Sequence, residues 1–206
     1  MTNSRLVRIL ICGAFLALSM VQCLRPAHAA TDVLGLWSSI SKSKGGLGTQ
    51  LNLSSDGSLT QIVGAVVDFR YEVREGKIAM TFESGEKAMT RAFELRDNAL
   101  VFEPGKPSEQ VMQRTSESPA SAGLVGEWNY QHYTGGPALL RYSTRNVGQL
   151  VVPMAMLRGR YDLDASRMKV TLEGQTAVPY DFRVEDDALT LRDESGKETA
   201  FKRFRY

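Results

Sequence analysis

One histidine and three tyrosines form the most chemically suggestive group in this sequence of 206 residues. His132 is flanked by Tyr130 and Tyr133, and Tyr142 follows on the next predicted strand. An imidazole can take up or release a proton near neutral pH, and aromatic rings can stack against a planar ligand. The group therefore predicts a polar-aromatic pocket mouth. The alternative is an aromatic surface strand that packs against the first half of the chain.

Arg91 and Tyr180 are two further candidate ligand-binding residues. Arg91 is in phase with Met89 and Phe93 on a predicted strand, which points its side chain toward the core. A guanidinium that faces inward must be paired or hydrated. It can meet a carboxylate or phosphate head group at a barrel mouth, or it can reach solvent from the strand end along its apolar stem. Tyr180 occupies the equivalent position in the second half of the sequence.

Composition excludes several classes of catalytic and metal site. Both cysteines, Cys12 and Cys23, and one of the two histidines, His28, fall within the first 29 residues. The remaining sequence holds no cysteine nucleophile, no cysteine-based zinc site and no site with several histidines. The glycine-rich loops at 45–48 and 134–137 lack the Gly-Lys-Ser/Thr of a phosphate-binding loop. We predict neither a cofactor nor a metal, and assign no catalytic residue.

The first 29 residues have the pattern of a signal peptide. Arg5 and Arg8 form a charged start, residues 9–21 are apolar, and residues 27–29 (Ala-His-Ala) fit a cleavage site. The apolar stretch is shorter than the ~20 residues that a membrane-spanning helix needs. We therefore expect export through the general secretory route, to the periplasm or the outside, with no transmembrane segment in the mature chain. The alternative is a lipoprotein acylated at Cys23.

The charge balance does not favour a nucleic-acid partner. The whole sequence has a formal net charge of +2, from 25 Lys and Arg against 23 Asp and Glu. Three of the basic residues belong to the predicted signal peptide, which leaves 22 basic and 23 acidic residues in the mature chain. Nucleic-acid-binding domains carry clustered, excess basic residues. We expect a small hydrophobic ligand or a protein of the cell envelope as the partner instead.

The sequence repeats itself, and the repeat defines its predicted domains. Corresponding residues are 91 apart at the start, 90 in the middle and 89 at the end: Trp37 and Trp128, Tyr71 and Tyr161, Arg114 and Arg203. Two one-residue deletions explain the drift, one between Leu59 and Arg70 and one near Ser84-Gly85, and we expect both at turns. The predicted domains are the signal peptide over 1–29, a first repeat over 30–115, a linker over 116–121 and a second repeat over 122–206.

Each repeat is predicted to be all-β. Turn signals recur about every ten residues, and apolar and polar residues alternate with a period of two between them. Short connections favour antiparallel neighbours, so we expect a meander of about eight short strands per repeat. A meander of this size can close into a small barrel. One barrel of longer strands, built from both repeats, is the alternative.

Residues at the start and end of each repeat carry a family resemblance. The Gly-x-Trp sequences at 35–37 and 126–128 resemble the opening of the first lipocalin strand, and Arg114 and Arg203 resemble the Arg of the last lipocalin strand. The chain is therefore similar to a tandem of lipocalin-like (calycin-type) small β-barrel domains of bacterial secreted proteins. The resemblance implies that Arg packs across Trp to close each barrel, and that a barrel can hold a ligand. It implies no specific activity.

Three functions are compatible with these predictions. The first is an exported, non-enzymatic β-barrel protein that binds a small apolar or amphipathic ligand through Tyr130, His132, Tyr133, Tyr142, Arg91 and Tyr180. The second is a protein–protein interaction or inhibitor module of the cell envelope, with barrels filled by side chains. The third is an enzyme resembling an isomerase or cyclase that uses His132.

Overall fold

The computed structural model describes residues 33–43, 46–83, 88–115 and 123–206. The predicted signal peptide, the linker and the turn at Ser84-Gly85 lie outside these residues. The described residues form fourteen antiparallel strands and no helix. In chain order the strands are β1 (Gly35–Ser39), β2 (Leu47–Leu53), β3 (Ser58–Arg74), β4 (Lys77–Phe82), β5 (Met89–Arg96), β6 (Ala99–Phe102), β7 (Gln110–Arg114), β8 (Gly126–Gln131), β9 (Pro137–Tyr142), β10 (Val147–Asp164), β11 (Arg167–Leu172), β12 (Val178–Glu185), β13 (Ala188–Arg192) and β14 (Glu198–Phe204).

Alternating side chains and short turns produce these strands, and the all-β prediction is confirmed. In β2, Leu51 and Leu53 are buried in a core while Asn52 between them points to the other face. Tight turns join most neighbouring strands, and they place a non-glycine residue at a φ between 49° and 58° at Glu75, Asp97, Asn146, Ala165 and Asp186.

The strands form one closed sheet in chain order, in which β14 pairs with β1. Strands β3 and β10 also pair with each other and form a second ladder that crosses this sheet. The ladder extends from Ser58, opposite Arg160, to Arg70, opposite Val147. On its other edge, β3 pairs first with β2 and then with β4, and β10 pairs first with β9 and then with β11. The crossing ladder therefore divides the closed sheet into two rings of eight strands each.

Each ring combines strands from both predicted repeats. The first ring consists of β1, β2, the start of β3, the end of β10 and β11 to β14. The second ring consists of the end of β3, β4 to β9 and the start of β10. The sequence predicts one barrel per repeat. The observed connectivity differs from this prediction because neither β3 nor β10 turns back at its midpoint.

Each predicted repeat contributes seven strands, one of them long, where the sequence predicts about eight short ones. Residues 62–67 of β3 (Ile-Val-Gly-Ala-Val-Val) contain no proline or polar turn residue, so the strand continues through them. The one-residue difference predicted at a turn between Leu59 and Arg70 lies instead within this long strand and its counterpart. The β3–β10 ladder is irregular between Pro153 and Ala155.

Side chains of the strands fill both rings. The core of the first ring contains Trp37, Leu51, Leu53, Leu59, Tyr161, Met168, Leu189, Leu191 and Phe201. The core of the second ring contains Phe69, Tyr71, Ile78, Met80, Leu100, Phe102, Met112, Trp128, Leu140 and Tyr142. A third, smaller cluster of Ile62, Val66 and Val151 lies on the other face of the β3–β10 ladder.

Candidate functional site

The outer faces of the two rings pack against each other. Trp37 and Leu51 point into the core of the first ring, so their neighbours Ser38 and Gln50 point out of it. Nevertheless Ser38 is only 5% exposed and Gln50 is fully buried. Gln50 hydrogen-bonds to side chains of β9 and β10, which belong to the second ring. The contact between the rings therefore buries polar side chains that strand alternation alone would place in water.

A buried ion pair lies in this contact. Glu127 on β8 and Arg141 on β9 are opposite each other in the ladder, and their side chains are 6% and 3% exposed. Arg141 Nε donates to Glu127 Oε2 at 2.5 Å, and Arg141 Nη1 donates to Gln50 Oε1 at 2.7 Å. The Thr115 hydroxyl donates to Glu127 Oε1 at 2.9 Å. Both buried charges therefore have charged and neutral partners, which burial requires.

Amide side chains extend this pair into a longer chain of hydrogen bonds. Gln50 Nε2 donates to Gln149 Oε1 at 2.5 Å, and Gln149 Nε2 donates to Asp68 Oδ1 at 2.7 Å. Asp68 Oδ2 in turn accepts from Lys42 Nζ at 2.7 Å. We call this set the interface network; its members are Glu127, Arg141, Gln50, Ser38, Gln149, Asp68 and Lys42.

A cleft of about 930 Å³ opens at the Glu127–Arg141 end of the interface network, and we call it the inter-ring cleft. Part of its lining is apolar and comes from both rings: Leu36, Ile62, Leu139 and Met156. The charged part of its lining contains Glu127, Arg141, Arg158, Arg160, Asp162 and Glu173. The cleft thus places a hydrophobic wall beside buried and exposed charges.

Strand β10 gives the inter-ring cleft its clearest chemical pattern. Met156, Arg158 and Arg160 are spaced two residues apart, so their side chains share one face of the strand. Arg160 Nη2 donates to Asp56 O at 3.2 Å. The Arg158 guanidinium has no ion pair or hydrogen bond within the part of the chain that the structure describes. An apolar side chain followed by two guanidinium groups fits an amphipathic molecule with an anionic head.

Three of the predicted ligand-binding residues lie together in the second ring. Tyr142 is fully buried in its core, with its ring centroid 4.9 Å from that of Tyr71. Arg91 lies with its Cζ 4.4 Å from the centroid of the Phe102 ring. Tyr130 is half-buried at the edge of the same core. Burial raises the pKa of both Tyr130 and Tyr142, so both phenols are neutral at pH 7.

Packing explains the position of Arg91. Its side chain is on the same face as Phe93, which packs against the core of the second ring, as the sequence predicts. Arg91 Nη1 donates to Gln110 Oε1 at 2.9 Å while the guanidinium lies over Phe102. The inward-facing cation is therefore compensated by an amide and an aromatic face.

The other three predicted residues lie elsewhere. His132 and Tyr133 are in the turn between β8 and β9, where Tyr133 is 93% exposed. His132 Nδ1 lies 2.9 Å from Thr134 Oγ1, and the rings of His132 and Tyr133 are 4.1 Å apart. Tyr180 packs at the edge of the core of the first ring. The structure therefore does not bring the six predicted residues into one pocket.

The Trp and Arg residues that carry the family resemblance pair across the repeats. Arg203 of the second repeat lies with its Cζ 4.1 Å from the centroid of Trp37 of the first repeat. Arg114 of the first repeat lies at the same distance from Trp128 of the second. Trp37 Nε1 also donates to Val33 O at 2.7 Å. Arg203 and Trp37 join the last and first strands of the first ring, and Arg114 and Trp128 join the neighbouring strands β7 and β8 of the second ring.

Sequence reasoning missed Glu127, Arg141 and Gln50. Their side chains fall on the outer face of a predicted strand, and alternation assigns that face to water. One signal was available: at the repeat spacing of 91 residues, Glu127 corresponds to Leu36 and Arg141 to Gln50. Opposite charges that face each other on neighbouring strands, in one repeat alone, indicate a specialised contact.

No family model matches the sequence, and no curated protein matches it. In the ranges that the structure describes, no group of three or more His, Cys, Asp and Glu side chains could hold a metal ion. Across the same ranges, no helix has the length and apolar character needed to span a bilayer.

Proposed function

We propose that this chain is an exported, non-enzymatic binding protein for a small amphipathic molecule, and that the ligand occupies the inter-ring cleft. The observation that carries the proposal is the face of β10 on which Met156 is followed by Arg158 and Arg160, in a cleft of about 930 Å³. This volume is within the range of about 300–1,000 Å³ typical of ligand sites. The sequence hypothesis placed the ligand inside a barrel, and the proposal moves it to the cleft between the rings.

The packing of the rings supports this location. Large side chains, including Trp37 in the first ring and Trp128 and Tyr142 in the second, occupy the two ring interiors. In the inter-ring cleft, by contrast, Met156 is 50% exposed and can lose that exposed area to an acyl or ring system. The arginines on the same strand face would then meet the carboxylate, sulfate or phosphate end of the ligand.

A protein–protein module is the second candidate. It is favoured by the filled rings and by exposed apolar side chains such as Met154 (73% exposed) and Tyr133 (93% exposed). Catalysis by His132 has less support, because the contacts of its ring are with its sequence neighbours Thr134 and Tyr133.

The test is a titration of the purified mature protein with a fluorescent fatty acid, together with a competing C12 carboxylate and the matching C12 alcohol. We expect saturable binding, with the carboxylate competing better than the alcohol because of the arginines. Met156→Asp places a carboxylate on the apolar wall and should weaken binding about three- to tenfold, since burying the exposed half of a Met side chain contributes about half of the ~1.5–3 kcal/mol of full burial.

Met154→Asp is the matched control. It adds the same charge two residues away, at an exposed methionine that does not line the inter-ring cleft. Equal affinities in the two variants would refute the location. Absence of saturable binding to the wild-type protein would reject the ligand hypothesis in favour of the protein–protein module.

A further inference from the structure

A second cleft, of about 370 Å³, lies at the Lys42–Asp68 end of the interface network, and we call it the basic cleft. None of the residues that line it also lines the inter-ring cleft. Its charged lining consists of five basic side chains, Lys42, Arg145, Lys202, Arg203 and Arg205, and three carboxylates, Asp68, Glu83 and Asp187. The basic cleft therefore has an excess of two positive charges.

One carboxylate, that of Asp187, lies near three of these cations. Asp187 Oδ1 lies 2.5 Å from Arg205 Nη2 and 3.7 Å from Arg203 Nε, and Asp187 Oδ2 lies 3.5 Å from Arg145 Nη1. The hydrogen bond from Arg205 is the largest cause of the lowered pKa of Asp187, so this group is an anion at neutral pH. The Arg203 guanidinium also lies over Trp37 and donates to Leu34 O. A single negative charge cannot neutralise both Arg145 and Arg205, and an oxyanion placed near them would gain from the remainder.

Lys202 adds an ammonium group to the basic cleft. It is an exposed residue on β14, opposite Ser38 of β1 in the ladder. Its ammonium group has no ion pair or hydrogen bond to any residue that the structure describes. Lys42, by comparison, is already paired with Asp68. Lys202, Arg145 and Arg205 together therefore carry more positive charge than Asp187 can balance.

The lining of the basic cleft also contains buried hydrogen-bonding groups. Ser39 and Ser143 are 7% and 2% exposed, and Gln149 is 3% exposed. Ser39 Oγ accepts from the Thr49 amide at 2.9 Å, and Ser143 Oγ accepts from the Arg145 amide at 3.2 Å. Each hydroxyl therefore keeps its own proton to donate to a ligand oxygen.

We propose that the basic cleft is a binding site for a phosphate group. The several oxygens of phosphate match a site that combines guanidinium groups, an ammonium group and hydroxyl donors. This site is independent of the proposed amphipathic ligand, because the two clefts share no lining residue. The phosphate can belong to a soluble phosphomonoester or to a lipid head group, since both present the same chemistry.

The experiment measures binding of inorganic phosphate by calorimetry and, in parallel, of phosphatidylcholine vesicles with and without phosphatidic acid. We expect saturable binding to at least one of these two probes, above that of chloride at the same ionic strength. Lys202→Gln and Arg145→Gln should each weaken it about tenfold, the typical effect of removing one charge-assisted hydrogen bond. Both side chains are exposed, so their replacement leaves the cores of the rings intact.

Lys169→Gln is the matched control, because it removes an exposed lysine of β11 that lines neither cleft. Binding of free phosphate identifies a soluble ligand, and binding confined to vesicles with phosphatidic acid identifies a lipid head group. The proposal is overturned if neither probe binds, or if Lys169→Gln weakens binding as much as Lys202→Gln does, which would indicate general charge attraction. A fatty-acid titration of the Lys202→Gln variant should be unchanged, which separates this proposal from the first.

Discussion

Replacing Glu127 by Leu should destabilise the protein strongly, because it leaves the buried guanidinium of Arg141 without its charged partner. The two side chains are 6% and 3% exposed and are joined by a hydrogen bond of 2.5 Å. Removing one member of a buried ion pair typically costs about 3–5 kcal/mol. With a urea m-value of about 2 kcal/mol per molar, the unfolding midpoint should fall by roughly 1.5–2.5 M. Equilibrium urea unfolding at pH 7, followed by tryptophan fluorescence, measures this change.

The double variant Glu127→Leu/Arg141→Met tests the cause of that loss. Methionine keeps much of the length of arginine but carries no charge, so no uncompensated charge stays buried. Gln50 Oε1 loses the donor that lies 2.7 Å away, which should cost about 1–3 kcal/mol. We still expect the double variant to be at least about 1 kcal/mol more stable than Glu127→Leu alone. A double variant less stable than the single one, or a single variant within about 1 kcal/mol of the wild type, would refute the reasoning.

Three further results are expected. Gly64→Ala should cost several kcal/mol in urea unfolding, because its Cβ would lie 2.2 Å from a carbonyl oxygen of β10, whereas Gly136→Ala, with open space around it, should stay within about 0.5 kcal/mol. Burial raises the pKa of Tyr142 above its ordinary value of 10.0, so the stability it contributes is complete below pH 10 and is lost as the pH rises further. Urea midpoints between pH 8 and 11 should therefore fall less steeply in Tyr142→Phe than in the wild type. Arg203→Ala should lower stability by about 1–3 kcal/mol, since it removes a contact with Trp37 and a hydrogen bond to a backbone carbonyl, and no loss would contradict the pairing across repeats.

Local pattern determined the strands and their inward faces. Alternation correctly places Phe93 and Arg91 on the core side of β5, because a side-chain period of two follows from strand geometry whatever the neighbours are. Turn residues such as Asp97 and Asn146 mark hairpins because Asp and Asn tolerate a positive φ better than most other residues do. The family motif indicated that Trp contacts Arg. The sequence did not indicate whether the Trp and the Arg of a contact belong to the same repeat.

The grouping of the predicted site residues could not be read from the same pattern. Tyr130 and Tyr142 share the second ring, but His132, between them in sequence, lies in an exposed turn. Neighbours in sequence separate at a turn, so spacing alone does not bring side chains together. The sequence did not predict the inter-ring cleft either. Gln50 and Arg141 are far apart in sequence and meet only where the two rings pack.

The sequence by itself determined an antiparallel all-β chain and predicted two similar halves, and the tertiary structure decided how the strands of those halves are joined. Each half has a Trp near its start and an Arg near its end, so the motif alone does not specify which Arg meets Trp37. The continuous β3–β10 ladder selects the Arg of the other repeat, because a strand without a midpoint turn carries the chain into the next ring. The same crossing brings the two outer faces together, and that contact buries the interface network and leaves the two clefts.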